Sequence, residues 1–289
     1  MAGPNAVDAI HSRKQMLWHL ETEVTDEIEE ILGSLLPDGS GPYTWVMPMS
    51  PDGGPAYLAP EDISLRVEDT RQGIRDGYTG LHTIYSVVQV DRIIELNGSF
   101  YSFIDTVSHI RMKDTGDILS VPGLGLFPTE AGLAGIRGEI MWGRNALEYY
   151  DDDSSDPLPR RKMTNYAAHD ALVAAFRSAD LAGIEKLIAE NALLSIRDQV
   201  NDEIGVTNHK GRDAAVGYFE SLFARFTVDD VHVVQRVVED WYVFSELCWY
   251  VSDKSGAKSS FLTAEFATTT ADGRFRASMG HGTARKSLT

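Results

Sequence analysis

The sequence predicts an α+β protein built from two tandem units, and three observations carry that expectation. In each half a stretch of helical periodicity comes first and a run of strand-like segments follows, the order of helices packed on an antiparallel sheet and not of an alternating α/β fold. Between the halves, residues 149–162 (YYDDDSSDPLPRRK) are charged, contain Ser and Pro and have no apolar periodicity. A chain of 289 residues with 43% hydrophobic and 9% aromatic content can fill two ordinary cores. The expected division is a first domain over 1–148, a linker over 149–162 and a second domain over 163–289.

Taken in order, residues 5–36 read as a helix, because Leu17, Leu20, Val24, Ile28, Ile31 and Leu35 recur at three- and four-residue spacing. Most of the acids among them occupy the other, solvated face. Glu21 borders the apolar stripe, four residues after Leu17 and three before Val24. Residues 37–60 are rich in Gly and Pro and read as a loop that folds over something, with at most a short strand at Tyr43 to Met47. A second helix is expected over 68–80, then strands over 84–96, 99–112, 118–127 and 133–142. The second half repeats the plan. Helices are expected over 165–179, 181–190 and from Gly211, where Val216, Phe219, Leu222, Phe223 and Phe226 keep a 3.6-residue period. Strands are expected over 193–197, 231–238, 241–251, 260–268 and 275–283, so the chain reads as a diverged tandem duplication.

Charge and cysteine usage bound the partners. A formal charge of −17 gives the surface a negative field that repels phosphate backbones and anionic lipid, so neither nucleic acid nor membrane is expected as a partner. The single cysteine, Cys248, excludes an intrachain disulfide framework. No segment approaches 18 uninterrupted apolar residues and the N-terminal residues lack an apolar signal region, so the expectation is a cytoplasmic protein.

The stretch NGSFYSFIDTVSHIRMKD, residues 97–114, concentrates the chemistry of the first half. Asn97-Gly98 is a strong hairpin signal, and strand alternation places Tyr101, Phe103, Asp105, Val107 and His109 on one face. A half-apolar face holding an acid and an imidazole reads either as a lined cavity or as a curved sheet with a wet edge. Asp105 lies roughly 13 Å along the strand from His109, too far for a direct hydrogen bond, so His109 must take an acid partner from another element. Tyr43, Trp45, Tyr85, Tyr101, Phe103, Trp18 and Trp142 are candidates to line a pocket for an aromatic ligand. There is no His-Glu-x-x-His, cysteine pair or tight His/Asp cluster for a metal, and Gly123-Leu124-Gly125 lacks the third glycine and following helix of a dinucleotide site. No metal and no cofactor are expected.

Through N-H-K-G-R-D-A-A-V-G-Y-F at residues 208–219 and the four strands after it, the second half resembles the SnoaL-like branch of the nuclear-transport-factor-2-like superfamily. The first half resembles it more weakly, through its order of elements and F-P-T-E-A-G-L-A-G-I-R-G-E-I at residues 127–140. The resemblance implies two cones, each a bent sheet closed by helices around a pocket, and members that often dimerise through the sheet, so a homo-oligomer is a further expectation. It also implies acid–base chemistry without a cofactor. H-I-R-M-K-D at residues 109–114 looks like the strand of scytalone-dehydratase-type enzymes that carries a catalytic His, with the carboxylate of their first helix falling at Glu21 and a second His falling near Tyr85. The tyrosine there is a departure from an identical water-shuttling mechanism. The leading expectation is a lyase that removes water or a small carbonyl fragment from a hydroxylated aromatic substrate, as the diarylpropane lyases of lignin-derived dimers do. In it His109 acts as base or acid, Glu21 orients it, and Asp105, Tyr85 and Tyr101 bind hydroxyls. An alternative is an isomerase or polyketide cyclase using Asp198, where ketosteroid-isomerase-like members hold a general base, and Glu265, near their acidic donor; Leu172 stands where their partner tyrosine belongs, and the plainer reading is that Asp198 caps a turn and Glu265 is solvated. A third is a non-catalytic binding or assembly protein.

Overall fold

The computed structural model describes residues 6–36, 43–46, 65–68, 70–143 and 158–288, the side chains of 43–46, 65–68 and 158–159 excepted. The chain divides into two compact units, Met1–Leu147 and Glu148–Thr289.

In the first unit α1 (Ala6–Glu23) and α2 (Ile28–Gly33) are followed by the short strands β1 (Tyr43–Val46) and β2 (Leu65–Glu68), then α3 (Arg71–Ile84) and the long strands β3 (Tyr85–Asn97), β4 (Tyr101–Met112) and β5 (Ile118–Pro128), with β6 (Glu139–Gly143) last. The six strands form one sheet in the order β2-β1-β6-β5-β4-β3. Every pairing is antiparallel except β1 with β6. Met16, Leu20, Ile31, Leu32, Ile74 and Tyr78 of the helices pack with Ile104 and Phe127 of the sheet.

The single helix expected over 5–36 is broken. Asp26 adopts φ 63°, a left-handed conformation that ends the first helical run, and α2 starts anew. Val24, expected in the buried stripe, is 44% exposed. The stripe that packs inward is Ser12, Met16, His19, Leu20 and Thr22, so polar groups hold positions that hydrophobic periodicity assigns to apolar ones. The next helix lies a few residues later than 68–80. Thr70 caps it by accepting from Gly73 N at 3.0 Å, and the chain passes from Ile84 straight into β3. Most of the loop expected over 37–60 lies outside the described residues.

The second unit opens with α4 (Leu158–Ser178), so residues 158–162, expected as linker, are helical. Pro159 sits in the first turn, where its missing N–H costs no intrahelical bond. Then come α5 (Leu181–Leu187), β7 (Ile188–Arg197), β8 (Val206–Lys210), α6 (Arg212–Arg225), β9 (Phe226–Val238), β10 (Tyr242–Asp253), β11 (Lys258–Thr269), β12 (Phe275–Gly282) and the two-residue β13 (Lys286–Ser287). Strand β8 has no counterpart among the expectations, because Val206-Thr207-Asn208-His209-Lys210 lacks apolar alternation and is held by register with β7. The order β8-β7-β12-β11-β10-β9 repeats that of the first unit, again with one parallel pair, β7 with β12. Leu172, Phe176, Phe219, Leu222, Trp249 and Phe261 belong to one core between the helices and the sheet.

Candidate active site

The face of β4 that meets the helices is the even-numbered one. Ile104 joins the helix-packed core, while Ser108 and Ile110 line a recess between the sheet and the helices. The register agrees, since Ser108 pairs with Val121 of β5 and Val121 lines the same recess. Tyr101, Phe103, Asp105 and His109 therefore lie on the other face of the sheet. There His109 Nε2 meets Asp91 Oδ2 at 3.0 Å and its Nδ1 meets Ser120 Oγ at 3.0 Å, so its acid partner is Asp91 and not Glu21. Glu21 is exposed on α1 and Trp18 is 39% exposed. These placements overturn the expectation of a His109–Glu21–Asp105 site lined by Tyr101, Phe103 and Trp18. The reason is period-2 geometry, in which the choice of face inverts every assignment at once. The side chains of Tyr43 and Trp45, on β1, lie outside the described residues.

The recess is a partly open concavity with a cavity volume of about 70 Å³. Val87, Ile110 and Val121 supply apolar wall, Trp142 and Tyr85 supply aromatic surface, and Glu23, Tyr78, His82 and Glu139 supply polar groups. Among the described residues, Tyr85 and Trp142 are the sequence candidates that line it. Burial, reinforced by the charges of Glu23 and Glu139, pushes the Tyr85 phenol above its ordinary pKa, so it stays a neutral hydroxyl.

Tyr78 is the centre of the polar cluster. Its hydroxyl lies 3.0 Å from Glu23 Oε1, 2.9 Å from Glu139 Oε2 and 3.2 Å from His19 Nε2. Helix α1 places His19 and Glu23 one turn apart, α3 supplies Tyr78, and β6 supplies Glu139 beside the buried Ile140. His19 is fully buried behind the recess. The Ser34 hydroxyl donates to Ile31 O at 2.6 Å, so at the 2.7 Å contact with His19 it is Nδ1–H that donates to Ser34. That fixes Nε2 toward the carboxylates, 3.6 Å from Glu23. Burial opposes protonation of His19, but the hydrogen bond and charge of Glu23 and the charge of Glu139 outweigh it and hold the pKa above its ordinary value.

A second set of groups sits at the rim. Asp26 accepts from His82, from Ser86 at 3.0 Å and from Lys113 at 2.7 Å. Burial would raise its pKa, yet hydrogen bonds from Lys113, His82 and Ser86 outweigh that and hold it below the usual carboxylate value.

Sequence reasoning missed His19, Glu23, Tyr78 and Glu139. One signal was present: His19 and Glu23 are spaced i,i+4 on a predicted helix, and Tyr78 and His82 repeat that spacing on the next. Nothing local marks Glu139. His19, Glu23 and Glu139 also offer a nitrogen and two oxygens within 4.8 Å of one another, a donor set a divalent cation accepts, so the tertiary structure gathers what no sequence motif announced.

In the second unit Asp198 caps the turn after β7, accepting from Val200 N at 2.8 Å, Asn201 N at 3.1 Å and Asn201 Nδ2 at 2.7 Å. These contacts build the turn, and Asp198 is not among the residues that line the second unit's described recesses. Glu265 lines recesses of the second unit. It is half-buried as a residue, and burial alone pushes its pKa up to about 7.

Residues 169–277 match the family model of a SnoaL-like domain. Among solved structures, the chain is similar to an LEH-like epoxide hydrolase of M. tuberculosis (12% identity over 42% of this chain and 84% of that one, TM-score 0.35). It is also similar to a protein of ketosteroid isomerase-like fold from Catenulispora acidiphila (17%, 39% and 82%, TM-score 0.34) and to RV0760c of M. tuberculosis (14%, 40% and 89%, TM-score 0.36). No curated protein matches the chain by sequence. No described helix is long and apolar enough to cross a membrane.

Proposed function

With a SnoaL-like domain at residues 169–277 as the premise, we propose that the chain converts a small molecule and that its first unit is a lyase working by proton transfer on a hydroxylated aromatic substrate. The supporting observation is the Tyr78 hydroxyl, which has one proton to give, two carboxylate acceptors beside it in Glu23 and Glu139, and the His19 Nε2 at 3.2 Å. Acid and base thus meet at one point of a recess with aromatic and apolar walls.

In a retro-aldol cleavage Glu139 or Glu23 takes the proton of a substrate hydroxyl, the oxygen becomes a carbonyl, and the electrons of the breaking C–C bond pass to the departing carbon. Tyr78 returns a proton to that carbon and is resupplied by His19, whose raised pKa keeps a proton available. In a dehydration the same carboxylate takes a carbon-bound proton and Tyr78 protonates the leaving hydroxyl. Tyr85 donates to a substrate hydroxyl, and Trp142 offers an aromatic surface to a ring. His19 acts through Tyr78 and Glu23 and is a positioning and proton-supplying residue.

The test is turnover of a panel of phenolic alcohols and diols in chelator-treated buffer. Tyr78→Phe and Glu139→Gln are each expected to lower kcat by about 10²- to 10⁴-fold, the usual contribution of a positioned acid or base. His109→Ala is expected to leave turnover unchanged. Wild-type rates in Tyr78→Phe, or turnover that appears only with an added divalent cation at the His19, Glu23 and Glu139 donors, would overturn the reading.

A further inference from the structure

The second unit holds a recess whose polar equipment is built but unused. Phe176, Phe219, Trp249 and Phe261 form its aromatic wall. Phe176 lies 4.9 Å from Trp249 between ring centroids, and Trp249 stacks on Phe261 at 5.7 Å with the rings 8° from parallel. Gln199 and Glu265 are among the remaining lining residues. Gln199 is 2% exposed, and neither Nε2 nor Oε1 of its carboxamide has a hydrogen-bond partner. Buried amide groups are seldom left unpaired, because each forfeits its bonds to water with no return.

The turn that carries Gln199 is otherwise fully engaged. Its backbone N–H donates to Tyr218 Oη at 3.2 Å, its carbonyl accepts from Arg285, and Asp198 ties down the two residues that follow. Gly282, another lining residue, lets the amide sit close, since a Cβ there would fall 2.4 Å from Gln199 Nε2. The fold therefore holds a donor and an acceptor side by side and unpaired on a residue that lines the same recess as the aromatic wall.

We propose that this recess binds a planar, largely apolar molecule through a lactam- or carboxamide-like edge, whose N–H donates to Gln199 Oε1 and whose C=O accepts from Gln199 Nε2. The pairing closes a ring of two hydrogen bonds, and the flat body of the ligand lies against the aromatic wall. The Glu265 carboxyl adds a second polar contact in the same recess. This site stands independently of the chemistry proposed for the first unit.

Isothermal titration of the full chain with 2-quinolone and with N-methyl-2-quinolone tests it. The two probes share rings and carbonyl, but the second has lost the N–H donor. Saturable 1:1 binding of 2-quinolone is expected, with N-methyl-2-quinolone about tenfold weaker or more for the loss of one buried hydrogen bond. Gln199→Met is expected to abolish the difference between the probes, and Tyr78→Phe in the first unit to leave it intact. The proposal is overturned if 2-quinolone shows no saturable binding, if the wild type binds both probes equally, if the preference survives Gln199→Met, or if Tyr78→Phe removes it. The comparison of probes on the wild type needs no variant to fold.

Discussion

At the scale of single residues, what a titratable group does here depends on the atom behind it. His19 presents Nε2 to the carboxylates only because Ser34 holds Nδ1, and Ser34 accepts because its own proton is given to Ile31. Ser34→Ala leaves a buried N–H without a partner, so a loss of about 1–3 kcal/mol in denaturant unfolding is expected. Unchanged stability would mean the imidazole can turn and that the fixed tautomer is not built in. Glu265 gives a pH-dependent prediction. Its folded pKa of about 7 lies above the 4.5 of a free Glu, so the folded state holds the proton more tightly. The penalty for burying the charge is absent below about pH 4.5, grows as pH rises and is complete above about 7, reaching at most about 3 kcal/mol. Glu265→Gln should therefore gain stability over the wild type between pH 5 and 8 and match it near pH 4, in parallel chemical denaturation series. Identical pH profiles would mean that Glu265 titrates normally.

At the scale of elements, one strand and one turn decide where the chemistry lies. Residues 101–112 of β4 form the expected strand, but its even face and not its odd face meets the helices. Alternation alone does not say which side is inside, and here the bulky aromatics Tyr101 and Phe103 lie away from the recess, so hydrophobicity pointed to the wrong face. The turn between α1 and α2 places Asp26 in a left-handed conformation and ties it to α3, β3 and the turn after β4 through His82, Ser86 and Lys113. Asp26→Ala loses these bonds and keeps the strained backbone, with an expected cost of about 2 kcal/mol. Asp26→Asn, which tolerates the conformation, should cost less, and the reverse order in thermal unfolding would sink the argument. Gly135 adopts φ 106°, and a Cβ there would come within 2.8 Å of Ser34 O. Gly135→Ala should destabilise by roughly 1–3 kcal/mol and also displace Ser34 from His19, visible as a changed His19 titration in NMR.

At the scale of the whole molecule, the net charge of −17 opposes compactness. Raising ionic strength from low to physiological values screens that repulsion and should raise the thermal midpoint. A midpoint that falls with salt would show that specific ion pairs outweigh the overall field. The repeated strand order, with a single parallel pair in the same place in each sheet, is what a duplicated unit leaves behind. The sites have diverged, since the first unit gathers His19, Glu23, Tyr78 and Glu139 while the second leaves Gln199 and Glu265 in an aromatic recess.

The sequence by itself determined the α+β class, two units with helices before strands, and most of the long strands and helices, because periodicity and turn chemistry are local and repeat within a few residues. It also offered Tyr85 and Trp142 as pocket-lining candidates, and both line the first unit's recess. Only the tertiary structure decided which face of β4 is inside, that Asp26 breaks the first helix, and that His19, Glu23, Tyr78 and Glu139 converge from two helices and a strand. Those four are separated by up to 120 residues, and their meeting depends on strand register and helix packing, which no local pattern encodes.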